Sequence, residues 1–199
     1  MFDTVTDEKD LLTEYGREQA ESLGKNWKDV HIDVLRSSTL QRAHDTALQI
    51  AKHNHNATLE VKADSIYVER KQGQAVIDAL KAWNPERASD LYTGLSRYES
   101  GITRRVYRPP GGGESPNDVA LRAKGSLFIL LHQYGKEQDE PPREFVDKTV
   151  IDSPNILPEG IPHVVVVSHN IFLSELYDSM FSWGSKHRMT TCDYRNAEW

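Results

Sequence analysis

The chain has 199 residues, of which 38% are hydrophobic and 27% are charged, and its formal net charge is -6 at pH 7. This length and composition predict a single globular domain over residues 1–199. A negative net charge argues against general binding to nucleic acid or to an anionic membrane, because both require an extended positive surface. No stretch approaches the ~20 apolar residues of a membrane helix. We therefore expect neither nucleic acid nor a membrane as a partner.

Cysteine content and the N-terminal segment bear on location. Cys192 is the only cysteine of the chain, so no internal disulfide can form, as is usual in a reducing compartment. The first ten residues, MFDTVTDEKD, have no basic start and no apolar core, unlike a secretory signal. These two features favour a cytoplasmic protein.

The first half of the chain alternates between helical and extended patterns. Apolar and small residues at helical spacing predict an amphipathic helix over residues 12–27. HIDVLRSS then predicts a short strand, and STLQRAHDTALQIAKH predicts a helix that begins with a capping box of Ser38 and Gln41. LEVKADSIYVER is extended again, and GQAVIDALKAW is helical. The polar segment 85–107 has no clear pattern.

The second half contains a well-marked helix start and a proline-rich segment. Ser115 as N-cap, Pro116 at the first helical position and Asp118 closing the turn predict a helix that ends near Tyr134. Residues 135–162 contain five of the nine prolines and little periodicity. We interpret this segment as a long loop or insertion over the site.

The stretch VVVVSHN, residues 164–170, places His169 directly after a run of valines. Four β-branched residues without alternation predict a strand that is buried on both faces, as in a parallel sheet with helices on each side. The fold class is therefore α/β, a three-layer sandwich with a mostly parallel sheet flanked by helices. Such sheets bind ligands at the carboxyl ends of their strands. A histidine that only caps the strand explains this stretch equally well.

Three further stretches contain residues that are suited to anion chemistry. Arg42 lies in the first turn of the predicted second helix, where free N–H groups and the helix dipole favour an anion. Glu69 stands at the end of an extended segment beside Arg70 and Lys71. PPGGGES offers glycines whose backbone can approach a ligand. Taken singly, a surface arginine, a surface charge run and a flexible loop explain them at least as well.

Taken in order, these stretches resemble the histidine phosphatase superfamily, also called phosphoglycerate mutase-like. Five blocks carry the resemblance: LTEYGREQAESLG (12–24), SSTLQRAHDTA (37–47), VERKQG (68–73), GGES (112–115) and VVVSHN (165–170). Their order and spacing agree over nearly the whole chain. VERKQG, PPGGGES and the long insertion before the histidine strand are most similar to the fructose-2,6-bisphosphatase-like branch.

The resemblance implies hydrolysis of a small phosphorylated metabolite through a phosphohistidine, with no metal and no cofactor. By position, Arg42 would bind the phosphoryl oxygens and His169 would be the second histidine, which stabilises their charge. Glu69 would protonate the leaving oxygen and then activate water. The remaining phosphate-binding residues implied by the resemblance are Asn170, Glu114 and Ser115.

The chain departs from the family at two places. Asn170 replaces a glycine, which is a mild change because asparagine tolerates unusual backbone angles. The nucleophile of the family lies in an Arg-His-Gly motif on a first strand before the LTEYG block, and MFDTVTDEKD contains neither arginine nor histidine. We therefore expect a phosphoglycerate mutase-like fold that lacks the first strand. We also expect the chain to be truncated at both ends and inactive in this form.

Two functions stay open at this point. One is a phosphatase of which this chain is an inactive part, and the other is a pseudophosphatase that binds phosphorylated ligands through Arg42 and His169. Substrate identity, the choice between phosphatase and mutase activity, and oligomeric state do not follow from the sequence. Arg104, Arg105 and Arg108 could bind a second acidic group of a substrate or form a solvated basic face.

Overall fold

A computed structural model describes residues 11–98, 103–135 and 160–181. The helices are α1 (Glu14–Asn26), α2 (Gln41–His53), α3 (Gln74–Lys81), α4 (Pro85–Thr93), α5 (Leu95–Tyr98), α6 (Pro116–Tyr134) and α7 (Asn170–Phe181). The strands are β1 (Val34–Ser37), β2 (Val61–Ala63) and β3 (Val164–Val167), and a 3-10 turn, Ser65–Tyr67, follows β2. Within the described residues, strands and helices alternate up to β2, and four consecutive α-helices separate β2 from β3.

The three strands form one parallel sheet in the order β2-β1-β3. Leu35 in the middle strand lies opposite Val61 on one side and Val165 on the other. Leu35 is completely buried and packs with Ala47 and Ile50 of α2 in the core of this sheet. The predicted parallel sheet flanked by helices is confirmed.

The second face of the sheet contacts the C-terminal end of α6. Successive side chains of a strand point to opposite faces, so Arg36 lies on the face away from Leu35. Its Nη2 donates hydrogen bonds to the Tyr134 hydroxyl at 2.8 Å and to Gln133 Oε1 at 3.2 Å. Helices therefore contact both faces of the sheet, which gives the three predicted layers.

The LTEYG block forms the start of α1 and serves helix packing. The Thr13 hydroxyl caps the helix by accepting a hydrogen bond from the Gly16 N–H at 3.0 Å. Further along the helix, Gly24 faces α2, where a Cβ atom would collide with the carbonyl oxygen of Gln49. A glycine at this position therefore permits the close approach of α1 to α2.

The described residues divide into two compact units. We call residues 11–67, 128–135 and 160–168 the sheet unit, and residues 68–98, 103–127 and 169–181 the helical unit. The helical unit has a small core of its own, formed by Val76, Ala79 and Ala88. The single domain over residues 1–199 stays a prediction. The proposed insertion 135–162 lies, except at its two ends, outside the described residues.

The predicted start of α6 is confirmed. The Ser115 N–H donates to Asp118 Oδ2 at 2.8 Å, and the Asp118 N–H donates to Ser115 Oγ at 3.2 Å. Pro116 is the first helical residue and the helix ends at Tyr134. These reciprocal bonds form the capping box that the sequence predicts.

The predicted capping box of Ser38 and Gln41 was wrong. α2 begins only at Gln41, and its N-cap residue, Leu40, makes no side-chain cap. The Ser38 N–H donates to the Val167 carbonyl at 2.9 Å, which keeps this residue attached to the sheet. Its hydroxyl accepts a hydrogen bond from the Leu40 N–H at 3.1 Å instead. Sheet pairing thus delays the start of the helix.

The segment 85–107, which had no clear pattern, contains α4 and α5. Asn84 caps α4 by accepting a hydrogen bond from the Arg87 N–H at 3.0 Å, and Pro85 is the first helical residue. Gly94 ends α4 in the left-handed conformation, with φ of 65°. Proline at the start and glycine at the end are ordinary helix signals, so closer attention to the caps finds α4 in the sequence.

Candidate phosphate-binding site

His169 lies between the last described strand and the last described helix. β3 ends at Val167 and α7 begins at Asn170. His169 is buried, with 6% of its surface exposed, and its carbonyl accepts a hydrogen bond from the Leu173 N–H at 2.8 Å. The histidine therefore follows the carboxyl end of a strand, as predicted. Val165 is the buried residue of this strand and the other three are half-buried, so the predicted burial on both faces is only partial. Its chemical role stays a prediction.

Arg42 is the second residue of α2, which follows the carboxyl end of β1. The residue is half-buried. β1 and β3 are parallel neighbours, with Ser37 opposite Val167, so the segments after both strands leave the sheet at the same edge. Ligands of parallel sheets bind at this edge. The position of Arg42 is therefore suitable for an anion, and phosphate binding by it stays a prediction.

The carboxylate of Glu69 contacts the N-terminal turn of α7. Oε2 accepts a hydrogen bond from the Ile171 N–H at 3.2 Å, and Oε1 accepts one from the Arg70 N–H at 2.8 Å. Unpaired N–H groups and the dipole of a helix stabilise a negative side chain at its N-terminus. Within the helical unit, the structure thus brings Glu69 to the turn that starts directly after His169.

Glu114 holds the loop before α6 against the segment that follows Glu69. Its backbone N–H donates to the Lys71 carbonyl at 3.0 Å, and its Oε2 accepts a hydrogen bond from the Lys71 N–H at 3.0 Å. The same carboxylate forms an ion pair with Arg122 at 2.9 Å. These contacts describe a structural role, and the phosphate-binding role of Glu114 stays a prediction.

Ser115 and Asn170 stand at the starts of two helices of the helical unit. Ser115 is 2% exposed, and its hydroxyl donates to Asp118 Oδ2 at 2.8 Å. Asn170 is the exposed first residue of α7, and its carbonyl accepts a hydrogen bond from the Ser174 hydroxyl at 2.8 Å. Phosphate binding by Ser115 and Asn170 stays a prediction.

The glycines of VERKQG and PPGGGES bring two loops together. Gly73 and Gly111 both have positive φ, at 83° and 85°, which a side chain would strain. The Gln74 N–H donates to the Gly111 carbonyl at 2.9 Å, and a Cβ atom on Gly73 would collide with the Pro110 carbonyl oxygen. Both glycines therefore allow the backbones of the two loops to approach each other closely.

Arg70 has a structural role that the VERKQG motif does not indicate. Its Nε donates to the Glu114 carbonyl at 2.7 Å, and its guanidinium lies 4.4 Å from the centre of the Tyr92 ring. Burial raises the pKa of Tyr92, and the charge of Arg70 partly offsets this effect. The partners of Arg70 are 22 and 44 residues away in sequence, so the local sequence pattern contains no signal for these contacts.

Two of the three arginines before the glycines form ion pairs with carboxylates. Arg105 donates to both oxygens of Glu175, at 2.6 Å and 3.0 Å, and this hydrogen bonding raises the pKa of the guanidinium. Arg108 binds Asp118 through two hydrogen bonds of 2.6 Å and holds the pKa of that carboxyl well below its usual range. Arg104 is exposed. The guanidinium groups of Arg105 and Arg108 are therefore both engaged in ion pairs within the protein.

The described residues contain neither a group of metal-ligating side chains nor a membrane-spanning helix. In residues 11–98, 103–135 and 160–181, no three His, Cys, Asp or Glu side chains are grouped so that they could hold a metal ion. Over the same residues, no helix is both long enough and apolar enough to cross a bilayer. The expected absence of a metal stays a prediction.

The sequence profile of the histidine phosphatase superfamily (branch 1) matches residues 5–138. The match includes the blocks around Arg42, Glu69 and Glu114. This chain belongs to the histidine phosphatase superfamily. The family expected from the five sequence blocks is thus confirmed.

Curated relatives within the superfamily include proteins from a fish and a nematode. The chain is 29% identical over 168 residues to fructose-2,6-bisphosphatase TIGAR B of Danio rerio. These residues make up 81% of this chain and 61% of the relative. It is 34% identical over 105 residues to the mitochondrial serine/threonine-protein phosphatase Pgam5 of Caenorhabditis briggsae. These residues make up 52% of this chain and 36% of the relative. The chain spans less than two thirds of either relative.

Solved structures show the same fold. A mycobacterial glucosyl-3-phosphoglycerate phosphatase in complex with inorganic phosphate is 25% identical, with a TM-score of 0.57, over 92% of this chain and 75% of that one. Phosphoglycerate mutase from Bacillus anthracis is 21% identical, with a TM-score of 0.53, over 86% of this chain and 69% of that one. The fold of this chain is phosphoglycerate mutase-like.

Proposed function

We propose that this protein is a phosphatase of small phosphorylated sugar metabolites that acts through a phosphohistidine. One observation carries the proposal: the carboxylate of Glu69 is hydrogen-bonded to the first turn of α7, directly after His169. The carboxylate that we propose transfers protons therefore contacts the helix start that directly follows His169. The names of relatives, a fructose-2,6-bisphosphatase and a glucosyl-3-phosphoglycerate phosphatase, support a phosphorylated sugar as the substrate class.

In this proposal Arg42 binds the phosphoryl oxygens through charge-assisted hydrogen bonds, which its planar guanidinium can make in pairs. His169 stabilises the negative charge that develops on the transferring group. Glu69 donates a proton to the leaving alkoxide and then removes one from the attacking water. Asn170, Glu114 and Ser115 complete the proposed site.

Residues 1–199 contain no Arg-His-Gly sequence, so the proposal assigns no nucleophile within them. A second candidate function is a pseudophosphatase that binds phosphorylated ligands through Arg42 and His169 without turnover. Both candidates require phosphate binding, and only the first includes a phosphoenzyme. We further propose a cytoplasmic protein whose partner is a small phosphorylated molecule.

Phosphate binding tests the part of the proposal that both candidates share. Titration calorimetry with inorganic phosphate and with orthovanadate measures the affinity of the wild-type chain. Because each variant removes a charged or polar group from the proposed site, Arg42→Ala and His169→Ala should each weaken binding by about tenfold or more. Arg87→Ala, an exposed arginine on α4, is the matched control and should bind as the wild type does. Equal affinity in all four proteins would contradict the proposed site.

A turnover assay tests whether residues 1–199 contain a nucleophile. The polypeptide of residues 1–199 should hydrolyse p-nitrophenyl phosphate no faster than buffer does, because covalent catalysis needs an attacking group. Hydrolysis that survives purification and disappears in Arg42→Ala would reveal a nucleophile among these residues. An acid-labile phosphoryl group on one of the histidines would identify it.

A further inference from the structure

We infer that Arg122 is a positioning residue that holds the carboxylate of Glu69 at the start of α7. Arg122 lies on α6 and has no motif of its own in the sequence. The inference rests on the proposed function, because it concerns the placement of the proposed proton-transferring group.

The guanidinium of Arg122 binds the backbone of Glu69 and of the residue before it. Its Nη1 donates to the Val68 carbonyl at 2.7 Å, and its Nη2 donates to the carbonyl of Glu69 itself at 3.4 Å. Arg122 is thus bonded to two successive peptide groups, the second of which belongs to the residue whose carboxylate is in question.

The same guanidinium acts on the C-terminal side through Glu114. Nη2 and Nε of Arg122 donate to the two oxygens of Glu114, at 2.9 Å and 3.3 Å. Glu114 in turn binds the backbone of Lys71 through two hydrogen bonds, each of 3.0 Å. Residues 68–71 are therefore bound on both sides of Glu69 by one ion pair.

Arg122 also contacts the helix that receives the Glu69 carboxylate. Its guanidinium carbon lies 5.2 Å from the centre of the Phe172 ring, and Phe172 is completely buried in α7. Ile171, the residue before it, donates the N–H that binds Glu69 Oε2. One guanidinium therefore contacts both the loop that presents the carboxylate and the helix turn that binds it.

Burial makes this ion pair suitable for positioning. The side chains of Arg122 and Glu114 are each 17% exposed, so solvent screens their attraction less than it does at the surface. An arginine fork bonded to a carboxylate and to two carbonyls fixes an angle as well as a distance, which a lysine ammonium does not. Replacement of the fork by a point charge should therefore loosen Glu69 while the charge balance is kept.

The test measures the Arg70 and Ile171 amide protons by NMR as pH is varied. In the wild type these resonances should follow the ionisation of Glu69, because both N–H groups donate to its carboxylate, and Glu69→Gln should abolish the effect. Arg122→Lys should reduce the pH-dependent shift of Ile171 at least about twofold, because a hydrogen bond weakens steeply as its geometry degrades. A loss of overall stability alone does not move this readout.

Arg108→Lys is the matched control, because Arg108 also binds a carboxylate through two hydrogen bonds, and this carboxylate belongs to Asp118. It should leave the Ile171 shift as in the wild type. If Arg122→Lys does not fold, the double variant Arg122→Gln/Glu114→Gln removes both charges together and should show the same reduction.

A wild-type shift in the Arg122 variant, or equal reductions in the Arg122 and Arg108 variants, would overturn the inference. Failure of phosphate binding would overturn the proposed function instead. The two failures are distinguishable because the NMR readout requires no ligand and no turnover.

Discussion

Two arginine–carboxylate pairs at the start of α6 have the same chemistry and different surroundings. Arg108 binds Asp118 with 67% and 27% of their side chains exposed, whereas Arg122 and Glu114 are each 17% exposed. The first pair connects a surface loop to a helix cap. The second connects two loops and contacts α7.

Burial and additional partners, more than the pairing itself, therefore decide how much an ion pair contributes to stability. An exposed pair is screened by water and salt and contributes little net stability. A buried pair whose partners also bind backbone groups leaves an uncompensated charge when one member is removed. Four substitutions test this comparison.

The largest effect is expected for Arg122→Met. It leaves the Glu114 carboxylate buried without its cation, which should lower the free energy of unfolding by about 3–5 kcal/mol. Urea unfolding at neutral pH measures the loss. Arg122→Met combined with Glu114→Gln should recover part of it, since no charge is then left unpaired. A loss below about 1 kcal/mol would mean that this pair contributes no more to stability than an exposed ion pair does.

Ser115→Ala tests the cap that the exposed pair adjoins. The variant removes the hydroxyl that accepts the Asp118 N–H at 3.2 Å and donates to Asp118 Oδ2 at 2.8 Å. Loss of such an N-cap typically costs about 1 kcal/mol. Thermal unfolding monitored by circular dichroism would show a moderate decrease in Tm. An unchanged Tm would mean that Asp118 holds the helix start without the serine.

Asp118→Asn tests the pH dependence of the exposed pair. Hydrogen bonds from Arg108 lower the pKa of Asp118 in the folded protein. A carboxyl with a lowered folded pKa contributes stability that is present above its unfolded pKa of about 3.9 and is lost as the pH falls below that value. Urea midpoints measured from neutral pH down to about pH 2 should therefore fall less steeply in the variant. Parallel curves would exclude this contribution.

The smallest effect is expected for Arg108→Met. The pair is largely solvated on the arginine side, so its loss should cost at most about 1 kcal/mol and less at high salt. Urea unfolding in low and high salt checks both statements. A salt-independent loss as large as that of Arg122→Met would remove the distinction between the two pairs.

Local signals were sufficient for much of the fold. The unbroken valine run predicted the parallel strand that precedes His169, and Ser115, Pro116 and Asp118 predicted the start of α6. At Ser38 the same kind of signal failed, because a hydrogen bond to Val167 holds that residue in the sheet. A capping motif describes what a helix can use, and strand pairing competes for the same residue.

The sequence alone was sufficient to predict the family, the order of strands and helices other than α4 and α5, and the places of Arg42, Glu69 and His169 relative to these elements, because periodicity, caps and motif order act over short separations. Only the tertiary structure decided the partners of Glu69, which binds a residue 102 positions away, and of Arg122, which binds a carbonyl 54 positions away. Such contacts depend on which loops and helices pack together. No local pattern of residues contains that information.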